Sequence, residues 1–104
     1  MNKIYIMKTI NKPELVSLKT GASFKVLKVT GQAGMQMPLH YSTKEAVLIL
    51  QEGSALLKID EKEHLLQAGD SFIIPARQSH YLSLKSEFKA LVIMSLDSNI
   101  EFVK

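Results

Sequence analysis

Cysteine and tryptophan are both absent from this 104-residue chain, and arginine occurs once, at position 77. Without a thiol there is no disulfide, no thiolate nucleophile and no thiolate metal site. Long apolar runs are also missing. The longest, residues 46–50 and 90–94, are five residues each, far short of the ~18–20 that span a bilayer. The N-terminal stretch MNKIYIMKTINK carries no apolar core of the ~7–15 residues that a secretory leader needs. A cytoplasmic location is therefore expected, with no membrane partner. Acidic blocks and basic blocks are equally lacking. The net charge of +3 comes from twelve lysines scattered along the whole chain. A nucleic-acid footprint needs clustered cations, so these lysines read as a solubilising surface and no nucleic-acid partner is expected.

What is present is a series of short β-rich runs. No segment keeps a helical period. Candidate strands fall at 4–9, 15–18, 24–30, 39–42, 46–51, 55–59, 64–66, 71–74, 81–84 and 88–96. Turn-forming residues separate them: Thr20-Gly21, the stretch 31–34, Glu52-Gly53, Asp60-Glu61-Lys62 and Ala68-Gly69-Asp70. Many short strands at regular spacing specify an all-β sandwich or closed barrel. One domain is the count that 104 residues support. Two of the strands, 46–50 and 90–94, are apolar on both faces. A barrel strand with one wet face would alternate, so the outer face of these strands needs a cover, either the N-terminal segment or a second copy of the chain, and a homodimer is expected.

Residues 34–84 carry a more specific pattern. Gly34 is followed after five residues by His40, then Tyr41 and Ser42; Ala46 comes three residues later and Gly53 six beyond that. A second group runs Gly69, five residues, Pro75, Ala76, Arg77, two residues, His80, three residues, Leu84. Fifteen residues separate Gly53 from Gly69. This arrangement resembles the two motifs of the cupin family. The first of those runs Gly, five residues, His-x-His, three or four residues, Glu, six residues, Gly; the second runs Gly, five residues, Pro-x-Gly, two residues, His, three residues, Asn. The resemblance implies a cupin-type double-stranded β-helix, a jelly-roll barrel, spanning residues 1–104 as a single domain. N-terminal strands occupy 1–20, motif one 34–53 and motif two 69–84.

The resemblance also implies where a metal would sit. Its four ligand positions fall on His40, Ser42, Ala46 and His80. Two imidazoles remain, one ligand has become a hydroxyl, and the carboxylate has become a methyl. A divalent transition metal, if bound, is then expected to be held weakly by His40 and His80, with Glu45 turning inward through a β-bulge as its one additional candidate ligand. Strand alternation instead turns Glu45 to solvent. In a regular strand Gln36, Pro38, His40 and Ser42 share one face. The expected pocket therefore contains Gln36, His40, Ser42 and His80, with Leu48, Leu82 and Leu84 as apolar lining and Arg77 at its entrance. His64 reads as a surface residue.

Three function classes fit these residues. One is a non-catalytic, regulatory binder of an unidentified small molecule inside the barrel. The second is a metal-dependent enzyme of isomerase or oxygenase type that uses His40 and His80. The third is a metal-free, epimerase-like enzyme with one histidine as general base. The missing carboxylate favours the binder.

Overall fold

A computed structural model describes residues 12–103, and every regular element in it is a strand. The expected strand at 4–9 lies outside the described residues. Ten strands are present: β1 (Glu14–Thr20), β2 (Phe24–Gly31), β3 (Gln36–Ser42), β4 (Ala46–Glu52), β5 (Ser54–Ile59), β6 (Lys62–Gln67), β7 (Ser71–Ile74), β8 (His80–Leu84), β9 (Phe88–Ser95) and β10 (Ile100–Phe102). They form two five-stranded antiparallel sheets, in the orders β1-β2-β9-β4-β7 and β10-β3-β8-β5-β6. No helix among the described residues is long and apolar enough to cross a membrane.

Alternation along the strands decides what fills the space between the sheets. In β8, His80, Leu82 and Leu84 are buried while Tyr81 and Ser83 are only half-buried. In β5, Ala55, Leu57 and Ile59 are buried in the same way. Together with Leu50, Phe88, Ala90 and Met94 from the other sheet they build the core. Each pair of inward neighbours is cross-strand matched, so one face of each sheet is dry.

The two strands with apolar residues on both faces sit side by side at the centre of the first sheet. Their outward residues line up through the ladder. Ile73 pairs with Val47, Val47 with Ile93, and Ile93 with Val26, giving one continuous aliphatic row across four strands. Leu91 and Ile49 pair in the next row.

Two turns show how tightly the corners are specified. Gly53 has φ +82°, and a Cβ there would lie 1.9 Å from the Glu87 carbonyl oxygen. Only glycine fits that corner. Asp60 and Glu61 close the β5–β6 hairpin with both φ values positive, at 55° and 60°. That is the geometry of a two-residue hairpin turn whose twist matches the flanking strands.

Candidate functional site

β3 is not a regular strand, and its irregularity sets up the site. Met37 pairs with Leu82, but His40 pairs with His80, so the register slips by one residue between Met37 and His40. The interval of the slip holds Pro38 and Leu39, and Pro38 has no N–H to give to a ladder and is tolerated at bulges. One extra residue inverts the parity of the strand. Met37, His40 and Ser42 are buried, whereas Gln36 is exposed. The expectation that Gln36 shares the inward face with His40 is thereby corrected, because it required an unbroken alternation. Pro38 inside a strand run was the available signal.

From this bulge onward the inner wall is well defined. His40 and His80 stand directly opposite each other, with ring centroids 4.2 Å apart and ring planes at 59°. They line a largely enclosed cavity of about 50 Å³ together with Ser42, Ala46, Met37 and Met94. Leu48 and Leu82 are in its wall as expected. Leu84 is instead packed in the core and does not reach it. A space of this size admits a few water molecules or a ligand of a few heavy atoms.

Each ring is held the same way. Nδ1 of His40 lies 2.6 Å from the Pro38 carbonyl oxygen, and Nδ1 of His80 lies 2.9 Å from the Gln78 carbonyl oxygen. A carbonyl can only accept, so Nδ1 carries the proton in both rings. In the neutral form Nε2 is then a bare lone pair on each. Loss of hydration on burial is the main influence on protonation. It pulls His40 down to about 4, against the opposing effect of the Pro38 carbonyl and with a smaller contribution from His80. His80 is lowered for the same main reason, opposed by the Gln78 carbonyl. Both imidazoles are neutral at pH 7, and the pocket has acceptors but no charge.

A short C-terminal strand completes the wall, and the sequence reading did not contain it. β10 pairs with β3, placing Phe102 opposite His40 with ring centroids 5.5 Å apart and Ile100 in the cavity lining. The turn before it is stapled to the loop after Ser42. Thr43 N–H donates to the Asn99 carbonyl, Asn99 N–H donates to Thr43 Oγ1, and Lys44 N–H donates to Ser98 Oγ. Three residues ending in Glu-Phe are too short for a periodicity signal.

The remaining expected site residues lie elsewhere. Arg77 is exposed with φ 62° and does not line the cavity. Its backbone is what meets the site, since its N–H donates to the Ser42 carbonyl at 2.7 Å. The family motif has Gly at this position, and the left-handed backbone is retained without it. Glu45 is exposed, and Ala46 keeps regular partners in Ile74 and Met94, so no bulge turns the carboxylate inward. His64 is half-buried, its ring packed 4.9 Å from that of Phe72.

These positions test the metal that the resemblance implies. Among the described residues no group of three or more His, Cys, Asp or Glu side chains comes together. Zinc sites take three or four protein ligands and non-haem iron sites two histidines and a carboxylate. The cavity wall supplies two imidazoles and no carboxylate. The donor set does not fit a tightly held divalent ion, and no chemistry is derived through one.

Comparison with curated proteins gives no match. Solved structures match the fold closely. A cupin superfamily protein from Desulfitobacterium hafniense aligns at TM-score 0.75 and 20% identity, over 84% of this chain and 80% of that one. An RmlC-like cupin with a double-stranded β-helix fold from Methanocaldococcus jannaschii aligns at TM-score 0.72 and 19% identity, over 82% and 81%. A DMSP lyase from Ruegeria pomeroyi aligns at TM-score 0.80 and 20% identity, over 88% of this chain but only 52% of the lyase. The cupin domain family model matches residues 27–96, which takes in both glycine-framed motifs, the bulged strand and the two facing histidines. On that match, carried by two antiparallel sheets in jelly-roll arrangement, this chain belongs to the cupin family.

Proposed function

We propose that this cupin is a small-molecule-binding protein of regulatory, non-catalytic type whose ligand enters the barrel at His40, Ser42 and His80. The observation that carries the reading is the pair of neutral imidazoles, each with Nδ1–H committed to a backbone carbonyl and Nε2 left as an acceptor on an apolar cavity. Such a wall rewards a ligand that donates hydrogen bonds or is electron-poor. It rejects anions, because neither ring offers a donor inward while neutral. The ligand class is therefore small neutral molecules with O–H or N–H groups and an apolar remainder.

The same observation weighs against the two enzyme readings. A general base works best with a pKa near the operating pH, and an imidazole at about 4 binds a proton only weakly at pH 7. A divalent ion at two imidazoles would keep most of its charge in a low-dielectric pocket. A divalent transition metal, on this reading, occupies purified protein at well under one equivalent. The partner beyond the ligand is a second copy of the chain, seated on the aliphatic row of the first sheet.

Carbon-labelled histidine spectra test the pocket. A library of small alcohols and amides is screened at pH 7 beside matched carboxylates. Neutral donors should shift the His40 and His80 Cε1 resonances, and carboxylates should leave them in place. Preferential binding of the carboxylates, or no shift from any compound, would overturn the reading.

A further inference from the structure

The two sheets meet along two seams, and the seams are built differently. β6 and β7 end the sheets on one side, where the rings of His64 and Phe72 meet at 4.9 Å between centroids. β1 and β10 end them on the other. The inward residues there are Leu15, ladder partner of the buried Val29, and Ile100 and Phe102, partners of Ser42 and His40. All three are apolar and none is buried. Leu15 is 37% exposed, Phe102 is 50% exposed, and Ile100 is half-buried.

The cavity reaches the second seam and not the first. Leu15 and Ile100 are in its lining, whereas His64 and Phe72 are not. Apart from these two, Val92 is the one lining residue that is not buried. Val92 faces inward from the middle of the first sheet, so water can touch it only through an opening. The row it belongs to shows where that opening is. Ser17 on β1 is exposed, its partner Leu27 and then Val92 are half-buried, and Leu48 on β4 is buried. Exposure falls steadily from the β1 edge inward.

Size and polarity then constrain what enters. About 50 Å³ holds a ligand head of a few heavy atoms and no more. Anything larger has to continue out through the seam. No Asp, Glu, Lys or Arg lines the cavity, so the continuing part is not charged, and apolar side chains frame its exit. There is no room for a ring or a branch beside the head.

We infer that the seam between β1 and β10 is the mouth of the cavity and that the ligand is a neutral, single-chain amphiphile. Its hydroxyl or primary amide head donates to the Nε2 atoms of His40 and His80. Its unbranched hydrocarbon tail leaves past Leu15, Ile100 and Phe102. The inference rests on the proposed reading of the cavity and narrows the ligand class of that same site.

The test titrates the full chain at pH 7 with straight-chain primary alcohols from ethanol to octanol and primary amides from acetamide to octanamide. Histidine Cε1 resonances report the head. Affinity should rise about two- to fourfold with each added methylene and level off once the tail clears the seam. Octanoate should bind at least about tenfold more weakly than octanol, because the neutral rings offer an anion no donor. Leu15→Ser and Phe102→Ser, both at exposed positions, should each weaken octanol by about threefold or more and leave ethanol unchanged. Leu65→Ser, at a 58% exposed position on β6, should leave the whole series unchanged. Affinity independent of chain length, octanoate binding as tightly as octanol, or equal losses from Leu15→Ser and Leu65→Ser would each overturn the inference. If ethanol and acetamide shift the two histidines while longer chains gain nothing, the seam falls and the pocket reading stands. If no member of either series shifts them, the pocket reading falls and takes the seam with it.

Discussion

His40 and His80 are direct ladder partners across β3 and β8, and each is tied through Nδ1 to the carbonyl two residues before it. The repeated i to i−2 bond gives the two rings the same tautomer on adjacent strands of one sheet. It also leaves the same unfilled acceptor on each. Two like groups 4.2 Å apart between centroids in a mostly apolar cavity resist protonation. Adding one proton strips hydration from a charge, and adding the second also sets it against the first.

Acid should therefore destabilise the fold. Unfolded, each imidazole has its ordinary pKa of 6.5; folded, His40 is down at about 4 and His80 is also lowered. Between these limits the unfolded chain binds more protons, so stability rises with pH. The full contribution is present above 6.5 and is lost as pH falls towards 4. For His40 it amounts to roughly 2–3 kcal/mol, less whatever hydration the cavity retains. Urea unfolding at about pH 7.5 and about pH 4.5 should show the drop, and a His40→Gln/His80→Gln variant should show a shallower one. Identical slopes in the two proteins, or histidine resonances titrating near 6.5, would refute the linkage.

The glycines of the motifs predict an ordering of stabilities. Gly53 and Gly69 both have positive φ, at +82° and +96°. A Cβ on Gly53 meets the Glu87 carbonyl oxygen at 1.9 Å and Ser86 Oγ at 2.7 Å, while nothing lies within 4 Å of one on Gly69. Gly69→Ala bears the backbone cost alone, about 1 kcal/mol. Gly53→Ala must also move a β-corner and should cost upwards of about 3 kcal/mol. Chemical denaturation of the two variants gives the comparison, and a Gly69→Ala loss equal to or larger than the Gly53→Ala loss would contradict it.

Those same residues show what a sequence can and cannot reveal. Gly34, Gly53 and Gly69 are legible because spacing and conformation coincide; all three have positive φ. His40 and His80 are legible because glycine-framed spacing puts each on a strand of the same barrel. Gln36 misled because a one-residue bulge is invisible to a period-two count, although Pro38 marks the place. Met94 was hidden for a different reason. Its place in the cavity wall depends on pairing with Ala46, forty-eight residues away in the chain, and register between distant strands is not written in local pattern. Arg77 was assigned by its side chain, whereas the fold uses its left-handed backbone and N–H.

Restoring the lost ligands should restore a divalent site. Ser42 and Ala46 both line the cavity with His40 and His80, so side chains at these positions converge on the facing imidazoles. Ser42→His/Ala46→Glu adds a third imidazole and a carboxylate that offsets half of the ion's charge. The double variant should take up close to one equivalent of Ni(II) or Zn(II), with affinity raised by about 10³ or more over the parent. Elemental analysis and calorimetry on folded protein decide it. Equal metal content in the two proteins would mean that the four positions do not converge.

The aliphatic row on the first sheet predicts self-association. Ile73, Val47, Ile93 and Val26 are successive cross-strand partners on the outward face, and Ile73 is 52% exposed. Phe24, 61% exposed, lies on the same face at the start of β2. Each large aliphatic group left fully in water forgoes roughly 1.5–3 kcal/mol, and half-buried ones forgo part of that. A contiguous patch of this kind is more than isolated surface leucines would produce. Because the row crosses the middle of the sheet, a two-fold axis lets it pack against itself and closes the assembly at two copies. Light scattering should give twice the 11.6 kDa chain mass. Val47→Lys/Ile93→Lys places two cations at the centre of the row, and across a two-fold axis they face two more. That variant should run at the chain mass with its β-sheet circular dichroism intact. An unsubstituted protein at 11.6 kDa would show that the row is covered within one chain and that no dimer forms.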